Sequence, residues 1–344
     1  MPLGARIAFV GDSNSQLGYT YQNWTLGLMA LSSGKVFAPP GANRAVAGTA
    51  TDYGVSDIAN VVALGPAVVA VMYGTNDGWA ASQTEANLRT MYNAYKAAGA
   101  KVLALGILPS NYGNFDARAL AINAWIAAQP DVYYVRTDNL TGASSSGGES
   151  VHINFAQQMS LASNVASVLA GLTSTASIYD GSPASIADTS FAGTGGTLGT
   201  NATGTIPTGW TLGRVSGTGS ATISKTTQGG NPAVQFTVTG PAWYRLNRFD
   251  AVSWTTSNYF DGWAEVSLSG DSPDIAALIT GGHNLFEDLP ATLDISRLGG
   301  PQVWRPISVV PASAGSSLET RFDLSVAAGK ATTVTLSRIV VQMR

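Results

Sequence analysis

Arg6-Ile7-Ala8-Phe9-Val10-Gly11-Asp12-Ser13-Asn14-Ser15 is an apolar run that stops at Gly-Asp-Ser. A run of this length closed by a glycine reads as a buried parallel strand turning sharply toward a helix. A serine on such a turn stands at the carboxyl edge of a sheet, where open α/β folds take their ligands. The stretch therefore marks Ser13 as a candidate nucleophile. A serine in that role needs a base, a group to orient the base, and donors for an oxyanion.

Outward from this stretch, residues 1–172 alternate between apolar runs and amphipathic segments. Further strands are expected at Ala67–Tyr73, Val102–Leu108 and Val132–Val135, with a weak one near Arg44–Val46. The clearest helix opens with Ser82 and Glu85 spaced as a capping box, places Leu88, Met91, Tyr92 and Tyr95 on one face, and stops at Gly99. A second runs from Asp116 through Leu120 and Trp125 to Pro130. A third follows Asn154, with Phe155, Met159, Ala162 and Leu169 at helical spacing. Alternation of this kind predicts a parallel sheet covered on both faces.

After Leu172 the texture changes. Residues 173–180 read as a linker, and 181–344 as an all-β unit of short alternating runs at Ala221–Lys225, Ala233–Val238, Trp263–Leu268, Leu318–Leu324 and Thr332–Val341. The low-complexity segment Phe191–Thr205 reads as loop. Two domains also suit a length of 344 residues.

Composition narrows the classes. Only 11% of residues are charged, and the net charge of −3 gives no footprint for nucleic acid. There is no cysteine, which removes thiolate and disulfide chemistry. No apolar run reaches the ~20 residues of a membrane span, and residues 1–5 carry no signal-peptide pattern. Two histidines, His152 and His283, make a His-rich metal site improbable on numbers alone, and no metal is expected.

His152 is the one histidine of the first domain and so the ordinary candidate for the base. Glu149, three residues upstream, can return a carboxylate to one imidazole nitrogen and leave the other for Ser13. Asp138 or a backbone carbonyl are alternatives for that orienting role. The order nucleophile, acid, base matches other sheet-based serine hydrolases. Oxyanion donors could come from the backbone of Gly48, after the weak second strand, and from the side-chain amide of Asn76, in Gly74-Thr75-Asn76-Asp77 after the third.

Taken together, Gly11-Asp12-Ser13, Gly48, Gly74-Thr75-Asn76-Asp77 and the segment ending in His152 resemble the four blocks of the SGNH (GDSL) hydrolase family over roughly residues 5–170. The resemblance implies a flavodoxin-like three-layer α/β/α domain with a parallel sheet. It implies a cofactor-free esterase with Ser13 as nucleophile, His152 as base and the N–H groups of Ser13, Gly48 and Asn76 as oxyanion hole. One position departs from the family pattern, which has Asp where this chain has Glu149.

Other residues have plainer readings beside the functional ones. Tyr73 and Trp79 flank the Asn76 loop and could line a substrate pocket or pack in the core. Asp77 reads as structural, closing its loop. His283 reads as a loop residue, Asn23, Asn139 and Asn201 begin glycosylation sequons, and Asp271 and Asp274 fall short of a calcium loop. Five of the eight tryptophans, Trp210, Trp243, Trp254, Trp263 and Trp304, fall in the β half, where they could form a sugar-stacking platform or sandwich core. A β-sandwich behind an esterase resembles carbohydrate-binding jelly rolls. The expectation is therefore an esterase acting on short acyl, chiefly O-acetyl, esters of a polysaccharide or glycan. The alternatives are a lipid or aryl esterase, or a receptor- or glycan-binding fibre protein with a degenerate hydrolase domain. Low charge and Gly/Ser/Thr-rich loops resemble phage tail-fibre proteins, which would make the chain virion-associated or extracellular and a homo-oligomer, a trimer in the fibre case.

Overall fold

The computed structural model describes residues 4–16, 23–108, 117–140, 152–153, 155–173, 191–258, 260–280, 289–290, 302–304 and 314–343. The chain divides into two compact units, Met1–Asp180 and Gly181–Arg344. Glu149, His283 and the linker segment beyond Thr173 lie outside the described residues.

In chain order the first unit contains β1 (Ala5–Gly11), α1 (Trp24–Leu31), β2 (Val36–Phe37), α2 (Thr51–Ser56), α3 (Ile58–Ala63), β3 (Val68–Met72), α4 (Ala81–Ala97), β4 (Lys101–Leu105), α5 (Ala117–Ala127), β5 (Tyr133–Val135) and α6 (Phe155–Ala170). The sheet order is β2-β1-β3-β4-β5, every pairing parallel. This is the flavodoxin-like doubly wound order, and its direction reverses between β1 and β3. Both faces of the sheet are buried, so its strands are apolar without alternation. Ala8, Val10, Val69, Val71 and Val102 meet Leu88, Met91, Tyr92 and Tyr95 of α4 and Ile122 and Ile126 of α5 in one core cluster. On the other face Phe9 meets Trp24 of α1 edge to face at 5.5 Å. Each such fully buried side chain contributes roughly 1.5–3 kcal/mol of transfer free energy. Among the described residues no helix is long and apolar enough to cross a membrane.

Two local expectations need correction. The second strand is Val36–Phe37, not 44–46. Pro39 and Pro40 follow it, and proline has no N–H to continue a ladder. Residues 42–46 nevertheless run beside β1, since Phe9 N donates to Ala42 O (2.8 Å), Arg44 N to Phe9 O (2.8 Å) and Val46 N to Gly11 O (3.0 Å). Helix α4 is capped by Ala80 with no side-chain cap bond, so Ser82 and Glu85 sit inside the helix and form no capping box. Its other end is as read: Gly99 has φ +87°, Gly99 N donates to Lys96 O (2.9 Å) and Ala100 N to Tyr95 O (3.0 Å), which is a Schellman closure. In α5, Leu120 is 53% exposed, and Ala119, Ile122, Asn123 and Ile126 form the buried face.

The second unit continues with β6 (Thr197–Leu198), β7 (Ala202–Gly204), β8 (Trp210–Gly217), β9 (Ser220–Gln228), β10 (Asn231–Thr239), β11 (Ala242–Trp254), β12 (Phe260–Gly270), β13 (Ile275–Thr280), β14 (Leu289–Pro290), β15 (Gln302–Trp304), β16 (Gly315–Val326) and β17 (Ala331–Met343). They form two six-stranded sheets, ordered β15-β12-β17-β10-β9-β7 and β14-β13-β16-β11-β8-β6, antiparallel except for the short pairings β6–β8 and β7–β9. The sheets face each other as a sandwich: Phe236 of one meets Phe322 of the other at 6.0 Å, and Trp304 lies 5.6 Å from Phe322. The segment expected as loop, Phe191–Thr205, thus contributes two short edge strands.

The tryptophans resolve in favour of packing. Trp210, Trp254, Trp263 and Trp304 are buried, and Trp243 is half-buried. Trp263 also lies beneath the Arg338 guanidinium, 5.5 Å from the ring centre. A stacking platform built on the four buried rings is therefore excluded.

Candidate functional site

The crevice at the switch point of this sheet lies beyond the carboxyl ends of β1 and β3. Gly11-Asp12-Ser13 leaves β1 there, and Gly74-Thr75-Asn76 leaves β3. The turn after β1 is tightly held. A Cβ on Gly11 would lie 2.6 Å from Met72 O and 2.9 Å from Ser15 Oγ, so the first position accepts only glycine. The Asp12 carbonyl accepts from Ser15 N and Gln16 N, both at 3.0 Å. The Asp12 carboxyl oxygen Oδ1 accepts from Asn14 N (2.9 Å) and Asn14 Nδ2 (3.2 Å). Beneath the turn, Trp24 Nε1 donates to Ser15 Oγ (3.2 Å), and Asn43 Nδ2 donates to Ser15 O (2.7 Å).

On this platform Ser13 is 6% exposed, and its Oγ lies 2.8 Å from Nε2 of His152, 139 residues further along the chain. His152 is half-buried and lies shortly before α6. Asp12, next to Ser13, has its carboxyl pushed above the ordinary carboxylate range by burial; the Asn14 bonds, Thr75 and the nearby His152 act against that rise. Asp138 is on the surface, accepting from Arg136 Nε at 2.8 Å. Burial also raises the Tyr73 phenol.

The other two blocks lie on loops tied to this turn and to each other. Gly48 has φ +75°, and a Cβ there would meet nothing within 4 Å, so glycine serves the backbone conformation rather than a close approach. Its loop is anchored by Val46 N to Gly11 O (3.0 Å) and by Ala47 N to Gln16 Oε1 (2.5 Å). Asn76 is exposed, and its Nδ2 donates to Thr49 O at 3.0 Å, joining the third block to the second. The amide keeps a second N–H for another acceptor. Asp77 is buried, as a structural residue must be: it accepts from Thr51 N (2.8 Å), Thr51 Oγ1 (2.8 Å) and Thr84 Oγ1 (2.5 Å).

Of the two pocket candidates, Tyr73 is 2% exposed and belongs to the core beneath the crevice, close to Met91 and Gly54. Trp79 is half-buried, and its carbonyl accepts from Arg118 Nε at 3.2 Å. Sequence reading missed two supports of the rim, Gln16 and Arg118. Gln16 lies three residues past Ser13 and could have been suspected from that spacing. Arg118 carries no local signal.

A doubly wound sheet with a serine hydroxyl against an imidazole at its switch point is the arrangement of a serine-dependent hydrolase. Residues 9–153 match the family model described as GDSL-like Lipase/Acylhydrolase family. Among solved structures, the crystal structure of TesA is 28% identical, with a TM-score of 0.39, over 48% of this chain and 99% of TesA. Axe2, an acetylxylan esterase from Geobacillus stearothermophilus, is 18% identical, with a TM-score of 0.41, over 49% of this chain and 97% of Axe2. No curated protein matches the sequence.

Proposed function

We propose that the first unit is a serine esterase that removes short acyl groups, chiefly acetyl, from a carbohydrate. The observation that carries this reading is the 2.8 Å approach of Ser13 Oγ to His152 Nε2 in the crevice. In the proposed reaction His152 Nε2 takes the hydroxyl proton as Ser13 Oγ attacks the ester carbonyl carbon. The negative charge on the carbonyl oxygen is met by the Ser13 N–H, the Gly48 N–H and the free N–H of the Asn76 amide. Collapse of the tetrahedral intermediate expels the sugar hydroxyl, which leaves with the proton from the imidazolium. Water, deprotonated by the same nitrogen, then attacks the acyl-serine, releasing the acid and restoring Ser13.

In this scheme Glu149 holds the His152 Nδ1 proton. Its carboxylate stands where the family pattern has an aspartate. Asn76 and Thr49, joined to each other, and Thr75, bonded to Asp12 beside the nucleophile, are polar and favour a hydroxylated leaving group over an alkyl one. For the second unit we infer a jelly roll, because strands β10 to β17 fill the two sheets in the alternating order of two interlocked Greek keys.

The test is Ser13→Ala against p-nitrophenyl acetate and a panel of acetylated polysaccharides. Turnover should fall on the order of 10⁴-fold or more with the circular dichroism spectrum unchanged. Retained turnover would overturn the assignment of Ser13. Turnover of the aryl ester with no acetate release from any polysaccharide would overturn the carbohydrate substrate alone.

A further inference from the structure

The loop Gly74–Trp79 carries Asn76 yet has little to hold it by itself. It contains two glycines. Gly74 sits at φ +120°, with Ile107 Cδ1 only 2.6 Å from where a Cβ would stand, and Gly78 has open space around it. Glycine-rich loops lose the most freedom when they are fixed, so the fixing has to come from outside.

Asn76 and Asp77 in its middle bond to Thr49, Thr51 and Thr84, and both of its ends are held by one side chain on α5. Arg118 Nη1 donates to Gly74 O at 3.0 Å, at the start of the loop, and Arg118 Nε donates to Trp79 O at 3.2 Å, at its end. The third arm of the fork, Nη2, donates to Thr84 Oγ1 at 2.9 Å and lies 3.7 Å from Asp77 Oδ2. Thr84 Oγ1 in turn donates to Asp77 Oδ2, while Asp77 Oδ1 accepts from Thr51 N. A rigid planar guanidinium can reach two carbonyls and a hydroxyl at once, whereas a lysine ammonium is a single point. The Arg118 side chain is only 26% exposed and that of Asp77 is 0%, so solvent screens these bonds little.

We propose that Arg118 is a positioning residue for the oxyanion donor: by clamping both ends of the Gly74–Trp79 loop it fixes the Asn76 amide in place for the transition state. This rests on the esterase reading above. Arg118 touches no reacting atom in this scheme. Its effect should therefore appear in kcat, where a misplaced donor is felt, and vanish once the donor is gone.

The experiment is a double-mutant cycle on the full chain with p-nitrophenyl acetate, comparing R118Q, N76A and the pair, with Ser13→Ala and thermal unfolding run beside them. N76A should lower kcat by about 10²–10³-fold. R118Q should lower kcat by about 10–100-fold, the scale of a donor displaced by about 1 Å, with KM little changed. The pair should be no slower than N76A alone, since the two act through one group. If R118Q keeps the parent kcat, or if its factor multiplies in full onto that of N76A, the inference fails. Should R118Q not fold, Arg118→Lys decides: a stable variant with lowered kcat supports the clamp, and one with parent kcat overturns it. If Ser13→Ala and N76A both retain full turnover, the esterase reading itself has failed, and the two failures are distinguished.

Discussion

Replacing Asp77 with alanine should unfold the rim of the crevice before anything else. The Asp77 side chain is fully buried and accepts three hydrogen bonds, from Thr51 N, Thr51 Oγ1 and Thr84 Oγ1, with the Arg118 guanidinium 3.7 Å away. Bonds to a charged acceptor are worth about 1.5–3 kcal/mol each, offset in part by the cost of burying the carboxylate. Removing one partner of a buried ion pair costs about 3–5 kcal/mol, because the donors left behind stay buried and unmatched. In a unit of this size each kcal/mol moves the midpoint by roughly 2–4 °C, so a fall of about 6–20 °C is expected. Differential scanning calorimetry of the full chain measures it. Asp77→Asn keeps an oxygen for Thr51 N and should fall less. Were no transition of the alanine variant displaced by more than about 1 °C, the carboxylate would not be holding these loops, and the account of the rim would be wrong.

Two further outcomes are expected. Gly11→Ala puts a methyl group 2.6 Å from Met72 O, forcing β1 and β3 apart; about 1–3 kcal/mol of stability should be lost, and kcat should drop as Ser13 moves from His152, read by calorimetry and ester turnover. Asp131 is paired with Lys96 and Arg89, which hold its carboxyl down at about 2. Its folded value lies below the unfolded one, so the stability it supplies is present above the ordinary carboxylate range and lost as pH falls toward about 2. The pair is a third exposed, so Asp131→Asn should cost under about 1 kcal/mol at neutral pH. In urea titrations that gap should close on acidification and in high salt; a gap that widens on acidification contradicts the sign.

Much of the first unit was legible because parallel strands buried on both faces are continuous apolar runs. Ile7–Val10 and Ala67–Tyr73 needed no context to be read, and Gly11 and Gly99 punctuate as their backbone demands. The two-residue strand Val36–Phe37 is too short to carry a period, and Ser82 imitates a cap although the helix begins one residue before it. The β11 strand escaped because Arg245, Asn247, Arg248 and Asp250 make its sequence look like a solvated loop. In the structure Arg245 pairs with Asp323 on the neighbouring strand at 2.7 Å and Arg248 with Asp250 along the same strand, so the charges that hide the strand are partnered within the sheet. In the site, Ser13 and His152 could be paired by elimination, since the domain has one histidine. Arg118 could not, because its meaning lies in two carbonyls some forty residues away that only folding brings within reach.

The two small strands β6 and β7 have a consequence out of proportion to their five residues. Each is itself the end strand of a different sheet, pairing with two or three residues of β8 or β9, so one stretch of eight residues, 197–204, closes one margin of both sheets on very short strands. Bare margins offer rows of unsatisfied amides to any passing chain, and proteins that leave them bare tend to stick to their own copies. A stretch whose composition suggests mere spacer thus supplies the selvedge of both sheets, with little backbone on it for another chain to pair with.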